Sequence, residues 1–267
     1  MSATWVLYMK EIKSLFSSWI AYVIFIAFTL LAGLSFNITV QIFEIMTKYA
    51  DSPEQGAARA SMNVIDDLVS PLYQMIFMLL FIMVPAITMR LFAEEKKQRT
   101  EELLLTSPVR MSEILLAKYL AAASLITLLL LPAAIFPAIV YHYTSGVPDW
   151  GPMVSGYLGL LLLGYCLAAI GVFASSLTEN QIVAFVFAAA LEMIFFIMAQ
   201  ATIMFDVVKI GGISINMGAF LRAFSLSDHF APLLTGIIKF SDLLYFASFI
   251  VFWLWATRQS LESERWG

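Results

Sequence analysis

The charged side chains of this sequence are most concentrated in residues 92–118, which read FAEEKKQRTEELLLTSPVRMSEILLAK. Acidic and basic residues crowd its first part, which predicts a helix over residues 90–107. Strong helix formers dominate there, and Glu95 can pair with Arg99 one turn later. A Ser-Pro sequence then predicts a corner, with Pro108 at the first position of a second helix.

Three adjacent leucines, Leu103, Leu104 and Leu105, lie between the charged residues and this corner. Exposing three neighbouring leucines to water is costly, because each loses the benefit of burial. We therefore expect them to occupy a groove. The residues alone leave two alternatives open, a solvated hairpin whose leucines rest on the bilayer and a docking site for another protein.

Catalysis and metal binding find little support in the rest of the sequence. The two histidines, His142 and His229, have no matching cluster of metal ligands. A Gly-x-Ser-x-Gly nucleophile motif and a Gly-x-x-x-x-Gly-Lys-Ser/Thr phosphate loop are both missing, and no basic–aromatic pattern suggests nucleic acid. Cys166 lies in an apolar run and should pack as a small hydrophobic residue. We predict no enzymatic activity, cofactor, metal or nucleic-acid partner for this chain.

The composition predicts a membrane protein. Of the 267 residues, 61% are hydrophobic and only 13% are charged, and the mean hydropathy is +0.87. A bilayer core requires about 20 apolar residues in a helix. We predict an all-α polytopic membrane protein, a single domain with six transmembrane helices over residues 19–41, 70–89, 118–141, 153–177, 181–204 and 240–257.

Three further segments flank these spans. Residues 3–18 predict an amphipathic interfacial helix lying in the cytoplasmic leaflet, with Trp5, Tyr8, Met9, Ile12, Phe16 and Trp19 on its apolar face. Residues 90–117 form a hairpin between the second and third spans. Residues 205–239 are too apolar for a free linker, so we expect short helices that enter the outer leaflet or pack on the bundle.

The distribution of basic residues predicts the orientation. With six spans both termini lie on the same side as the hairpin, and that side receives ten of the 15 lysines and arginines. Because cytoplasmic loops carry an excess of Lys and Arg, we place the hairpin and both termini in the cytoplasm and the spans in the inner membrane.

Polar and small residues within the spans allow two interpretations each. Glu192 is the one acid in the middle of a span, and it either contacts a substrate or proton on the transport pathway or packs the fifth helix on its neighbours. We place Gln200, two turns further along, on the same polar face. A ladder of small residues in the fourth span provides close packing within the chain or a dimer seam. Its members are Gly164, Ala168, Gly171 and Ser175.

The charged stretch resembles the cytoplasmic segment of ABC-2 type permeases, the membrane subunits of ATP-binding-cassette transporters. It is most similar to the branch with gliding-motility and nitrous-oxide-reductase-maturation permeases, whose pattern is E-x-x-x-G-T-x-E-x-L-L-x-x-P. The residues that match are Glu94, Glu95, Thr100, Glu102, Leu104, Leu105 and Pro108, with a similar tail at Leu261, Glu262, Arg265 and Trp266. Arg99 replaces the usual glycine, which puts the tight bend expected there in question.

The resemblance implies a permease that exports a substrate with energy from a separate ATPase subunit. That partner subunit binds ATP and Mg²⁺. It also implies a second copy or a related permease as partner, in contact with membrane lipid. The residues implied in ATPase coupling are Glu94, Glu95, Arg99, Thr100, Glu102, Leu103, Leu104, Leu105 and Pro108. The alternative is a non-transporting mechanotransmission or assembly subunit that drives an extracytoplasmic partner with the same kind of ATPase.

Overall fold

The computed structural model describes residues 3–50, 62–100, 109–144, 149–204, 208–210, 213–215 and 217–266. The helices of this part are α1 Ala3–Ser17, α2 Trp19–Ala50, α3 Ser70–Thr88, α4 Ala93–Lys97, α5 Met111–Leu130, α6 Ile135–Tyr143, α7 Trp150–Ser176, α8 Gln181–Met204, α9 Met217–Phe224, α10 Leu226–Leu234 and α11 Phe240–Trp266. A π-helical turn, Ile65–Val69, precedes α3. The short strands β1 Val208–Ile210 and β2 Ile213–Ile215 pair antiparallel.

Six helical segments of the described chain are long and apolar enough to cross a membrane, which confirms the prediction of an all-α protein with six spans. The first span is longer than predicted, because α2 continues from residue 41 to Ala50. At 1.5 Å per residue its 32 residues extend about 48 Å, so its end projects beyond a hydrocarbon core of about 30 Å.

The third span changes helix type at a proline. Between α5 and α6 the chain makes a 3₁₀ turn, Leu131–Ala134, which contains Pro132. A proline lacks the amide hydrogen that the α-helical ladder needs, so the local tightening is expected there. The whole segment Met111–Tyr143 still forms one continuous span.

The fourth span, α7, lies at the centre of the bundle. It packs against α3, α5, α8, α10 and α11, and most of its length is buried. Its glycines make this possible, because they leave room for side chains of the surrounding helices. A Cβ atom at Gly164 would lie 2.6 Å from Ile126 Cγ2, and one at Gly171 would lie 2.7 Å from Thr88 Cβ.

The small-residue ladder of α7 is therefore filled by the chain itself. Ala168 and Ser175, the other two members of the ladder, are buried like Gly164 and Gly171. Of the two interpretations that the sequence allowed, packing within the subunit is correct. A dimer seam at this ladder is wrong, because Thr88 and Ile126 already occupy the space.

The segment after the fifth span folds back on the bundle. As expected from its apolar character, it contains two short helices, α9 and α10, which follow the small β-hairpin. Leu226, Phe230 and Leu233 of α10 are buried, and the Phe230 ring fills the space beside Gly159 of α7. Since a Cβ atom at Gly159 would overlap this ring, glycine is required for the close approach of α10.

Candidate functional site at the base of the charged hairpin

The charged hairpin is joined to the second span by a buried turn. After Thr88 the chain turns through residues 89–92, and Leu91, Phe92 and Ala93 are almost completely buried. The hydroxyl of Ser175 in α7 accepts hydrogen bonds from the N–H groups of Phe92 and Ala93, at 3.0 and 3.1 Å. The base of the hairpin is thus fixed to the central helix, because these N–H groups have lost water.

A buried lysine links three helices at this base. Lys118 of α5 forms ion pairs with Glu95 of α4 at 2.8 Å and with Glu11 of α1 at 3.3 Å. Its side chain is 2% exposed, against 9% for Glu11 and 16% for Glu95. The three charges therefore lie away from water, where each depends on the others to offset its lost hydration.

Further contacts complete the surroundings of the lysine. Its ammonium group donates to the carbonyl oxygen of Leu91 at 2.6 Å and lies 5.0 Å from the centre of the Phe92 ring. The Leu91 carbonyl belongs to the turn that precedes α4, so Lys118 contacts both this turn and the hairpin helix. We call Glu11, Glu95, Lys118 and Leu91 the ionic joint.

Lys10 lies on the exposed side of the ionic joint and pairs with both of its carboxylates. It pairs with Glu95 at 3.2 Å and with Glu11 at 3.6 Å. Partial burial acts to lower the pKa of Lys10, but the carboxylates of Glu95 and Glu11 act to raise it, and the result lies above the ordinary value. A raised lysine pKa contributes stability that is lost only as pH rises through that pKa, so Lys10 remains charged at neutral pH.

A second set of contacts ties the hairpin base to the junction between α1 and α2. Arg90 donates to the Ser18 hydroxyl at 2.7 Å and approaches Glu94 at 3.4 Å. Lys96 donates to the carbonyl oxygen of Ser176 at the end of α7. Cations at a helix C-terminus are favourable, since the last carbonyl groups have no partner within the helix.

The hairpin helix is shorter than predicted. The sequence predicted one helix over residues 90–107, and this is wrong because α4 ends at Lys97. Arg99 has φ 55°, in the left-handed region. The Thr100 N–H donates to the Glu95 carbonyl and the Arg99 N–H to the Lys96 carbonyl, which is the Schellman arrangement at a helix end. The tight bend that the missing glycine put in question is therefore present.

The strain at this bend gives a prediction. A left-handed conformation costs a residue other than glycine about 1 kcal/mol, so Arg99→Gly should stabilise the bend by up to that amount. Amide exchange of a peptide covering residues 93–100 should slow by roughly fivefold. Gln98→Gly is the matched control, because Gln98 has a right-handed φ of −85°. Exchange there should become faster, and equal effects of the two glycines would contradict the assigned bend.

The second arm of the hairpin begins later than predicted. Its helix starts at Met111 rather than Pro108, and the Glu113 carboxylate accepts a hydrogen bond from the Arg110 N–H at 3.1 Å. This contact satisfies the Arg110 N–H group, a backbone donor at the helix start. The predicted coupling residues Glu102, Leu103, Leu104, Leu105 and Pro108 lie outside the described residues.

The ionic joint was missed in part by reasoning from the sequence. Glu95 was predicted as a coupling residue, whereas Glu11 was not singled out and Lys118 counted only as a cytoplasmic charge. Glu11 and Leu15 of α1 are buried against the bundle, while Trp5 and Met9 of the predicted apolar face are exposed. Because an exposed apolar face is what contact with lipid requires, the interfacial position of α1 stays a prediction. The sequence does contain a signal for the burial of Glu11. It is a lone acid between Lys10 and Lys13, and it lies four residues before Leu15, on the same face of the helix.

The two polar residues of the fifth span are separated by the structure. Glu192 is fully buried in α8, and neither carboxylate oxygen has a hydrogen-bond partner among the described residues. Gln200 is exposed and lines a cavity with Gln74 and Arg222. The two are therefore not members of one polar face. Glu192 faces the bundle, as expected for an acid within a membrane, and its role stays a prediction.

His229, one of the two histidines, lies in α10 and has a partner. His229 Nδ1 and Asp242 Oδ1 are 2.8 Å apart, and the His229 ring stacks on Tyr245 with centroids at 3.8 Å. Within the described part of the chain, no three His, Cys, Asp or Glu side chains could hold a metal ion together. The absence of a metal from this protein stays a prediction.

Six apolar spans and a charged hairpin fixed to their base define a multi-pass helical membrane protein with a polar attachment on one side. The family model described as ABC-2 family transporter protein matches residues 5–257, nearly the whole chain. The chain therefore belongs to the ABC-2 transporter family and is a membrane permease subunit of an ABC transporter. A comparison with curated proteins finds no match.

Proposed function

We propose that this permease exports a substrate across the inner membrane with energy from a separate ABC ATPase subunit that docks on the charged hairpin. The observation that carries the proposal is the ionic joint. Through Lys118 and Glu95 it attaches the hairpin helix directly to the third span, and through Glu11 to α1. A hairpin held this way would transmit a displacement to the spans rather than absorb it.

The contacts indicate how motion would pass into the membrane. The ATPase pushes or pulls on residues 101–108, and α4 moves with them because the bend at Arg99 is hydrogen-bonded to it. The joint carries this motion to α5, and Ser175 carries it to the central helix α7. Packed helices have discrete arrangements, so a small displacement at the hairpin would become a change of state in the spans.

The orientation follows from the same proposal. The hairpin and both termini face the cytoplasm, where ATP is available, and this agrees with the excess of lysines and arginines on that side. ATP and Mg²⁺ bind the partner subunit, since this chain has no phosphate-binding loop in its sequence. A second permease chain completes the pathway, because ABC ATPases act as dimers that require two attachment points.

Co-purification with the ATPase tests the docking site. Changing Leu103, Leu104 and Leu105 together to serine should remove the apolar surface and abolish recovery of the ATPase with the permease. Changing the same three leucines to methionine keeps their volume and apolarity, so ATPase recovery should stay near the wild-type level. Undiminished recovery with the serine variant would rule out docking at these leucines.

A further inference from the structure

A cavity of about 480 Å³ opens at the end of the bundle opposite the hairpin. It lies between α3, α8, α9 and α10, and its size falls in the range of about 300–1,000 Å³ typical of ligand pockets. The proposed coupling mechanism does not involve this cavity. Its walls belong to two spans and to the two short helices that pack on them.

The lining of this cavity changes from polar to apolar along the membrane normal. On α3, Gln74 comes one turn before Phe77 and Met78, and α8, which runs the opposite way, has Gln200 one turn after Phe196. One turn is about 5 Å, so both spans place an amide at the outer end and aromatic or thioether groups closer to the membrane centre. This gradient matches the shape of an amphiphile, not that of a sugar or an ion.

A cation at the outer end of the cavity is available to a ligand. Arg222 of α9 is exposed at the cavity, and no ion pair is found for it among the described residues. Its guanidinium group is a donor suited to phosphate oxygens.

An acidic side chain restricts the headgroup. Asp228, one residue after Ser227, also lines the cavity and is exposed there. A carboxylate in the same cavity as the guanidinium disfavours a ligand that is purely anionic and favours one that also carries an ammonium group. Charge complementarity thus points to a headgroup with both a phosphate and an amine.

We propose that this cavity binds a zwitterionic phospholipid, with the phosphate at Arg222, the amine at Asp228 and an acyl chain against Phe77, Met78 and Phe196. The inference goes beyond the proposed export function and does not depend on it. Binding can be measured on the full-length permease without any ATPase, so a failure here leaves the docking proposal untouched.

Native mass spectrometry of the purified chain, titrated with phosphatidylethanolamine, tests the proposal. We expect one tightly bound lipid per chain. Arg222→Gln should weaken its binding about tenfold, the loss of one charge-assisted contact. Ala231→Trp should abolish binding, because Ala231 is an exposed residue of the lining whose enlargement fills the cavity without disturbing the core. Lys239→Gln removes an exposed cation outside the cavity lining and should leave binding unchanged.

Two further probes separate this ligand from related ones. Phosphatidylglycerol, which has no amine, should bind more weakly than phosphatidylethanolamine, and Asp228→Asn should remove that preference. Glycerophosphoethanolamine, which has no acyl chains, should bind far more weakly still. Wild-type lipid binding by Ala231→Trp, equal losses with Arg222→Gln and Lys239→Gln, or tight binding of glycerophosphoethanolamine would each overturn the proposal.

Discussion

Lys118→Met is expected to separate the hairpin from the spans. The change removes the buried cation from the Glu95 and Glu11 carboxylates and leaves only the more exposed Lys10 beside them. Breaking a buried ion pair typically costs about 3–5 kcal/mol, and the remaining pairs with Lys10 should place the loss at the lower end of that range. The melting temperature of the purified permease should fall. In the reconstituted complex, transport per ATP hydrolysed should fall roughly tenfold, a coupling free energy of ordinary size for linked sites.

Lys13→Met is the matched control, because Lys13 is an exposed lysine of α1 outside the ionic joint. It should leave both stability and coupling near the wild-type values. A variant in which Lys118, Glu95 and Glu11 become Met, Gln and Gln removes all three charges together. It should recover much of the lost stability but remain poorly coupled, since the fixed contact between α4 and α5 is gone. Normal coupling by Lys118→Met would show that the joint transmits nothing.

Gly171→Ala is expected to force α7 away from α3. The new Cβ would overlap the Thr88 hydroxyl oxygen and lie 2.7 Å from Thr88 Cβ. Thr88 is fully buried and its hydroxyl donates to the Val84 carbonyl at 2.9 Å, so it has no free space into which to move. Overpacking of this kind costs about 1–3 kcal/mol, which thermal unfolding of the purified permease will measure.

Gly33→Ala provides the comparison for this variant. Gly33 lies in the middle of α2, where a Cβ would meet nothing within 4 Å. Alanine is the better helix former, so Gly33→Ala should leave stability unchanged or raise it by about 0.5–1 kcal/mol. Equal destabilisation by both alanines would show that the loss at residue 171 does not come from the contact with Thr88.

The six spans could be predicted because each is an apolar run long enough to cross a bilayer, and a helix is then the one structure that satisfies its backbone. The ends of the hairpin helices could not be predicted from the sequence. The helix-forming residues of 90–107 favour continuation, but Glu95 is held by Lys118 and Lys96 by Ser176, and these tertiary contacts fix the end at Lys97. Helix propensity is weak beside such contacts.

The ionic joint escaped prediction for a related reason. A lysine close to a span end, such as Lys118, has the same appearance in the sequence whether it marks orientation or is buried in an ion pair. Only the packing of α1 on α5, with Tyr8 and Ser124 hydroxyl groups 2.9 Å apart, brings Glu11 to it. Contacts between residues more than 100 positions apart leave no local pattern in the chain.

Photo-crosslinking from the hairpin in native membranes tests the central claim most directly. A crosslinking amino acid at Leu104 should capture an ABC ATPase subunit, identified by mass spectrometry from its phosphate-binding loop. The same amino acid at Asp149, at the other end of the bundle, should capture no ATPase. Capture of an ATPase at Leu104 alone is the result that the coupling proposal predicts. An extracytoplasmic protein at Leu104, or an ATPase at Asp149 in its place, would contradict it.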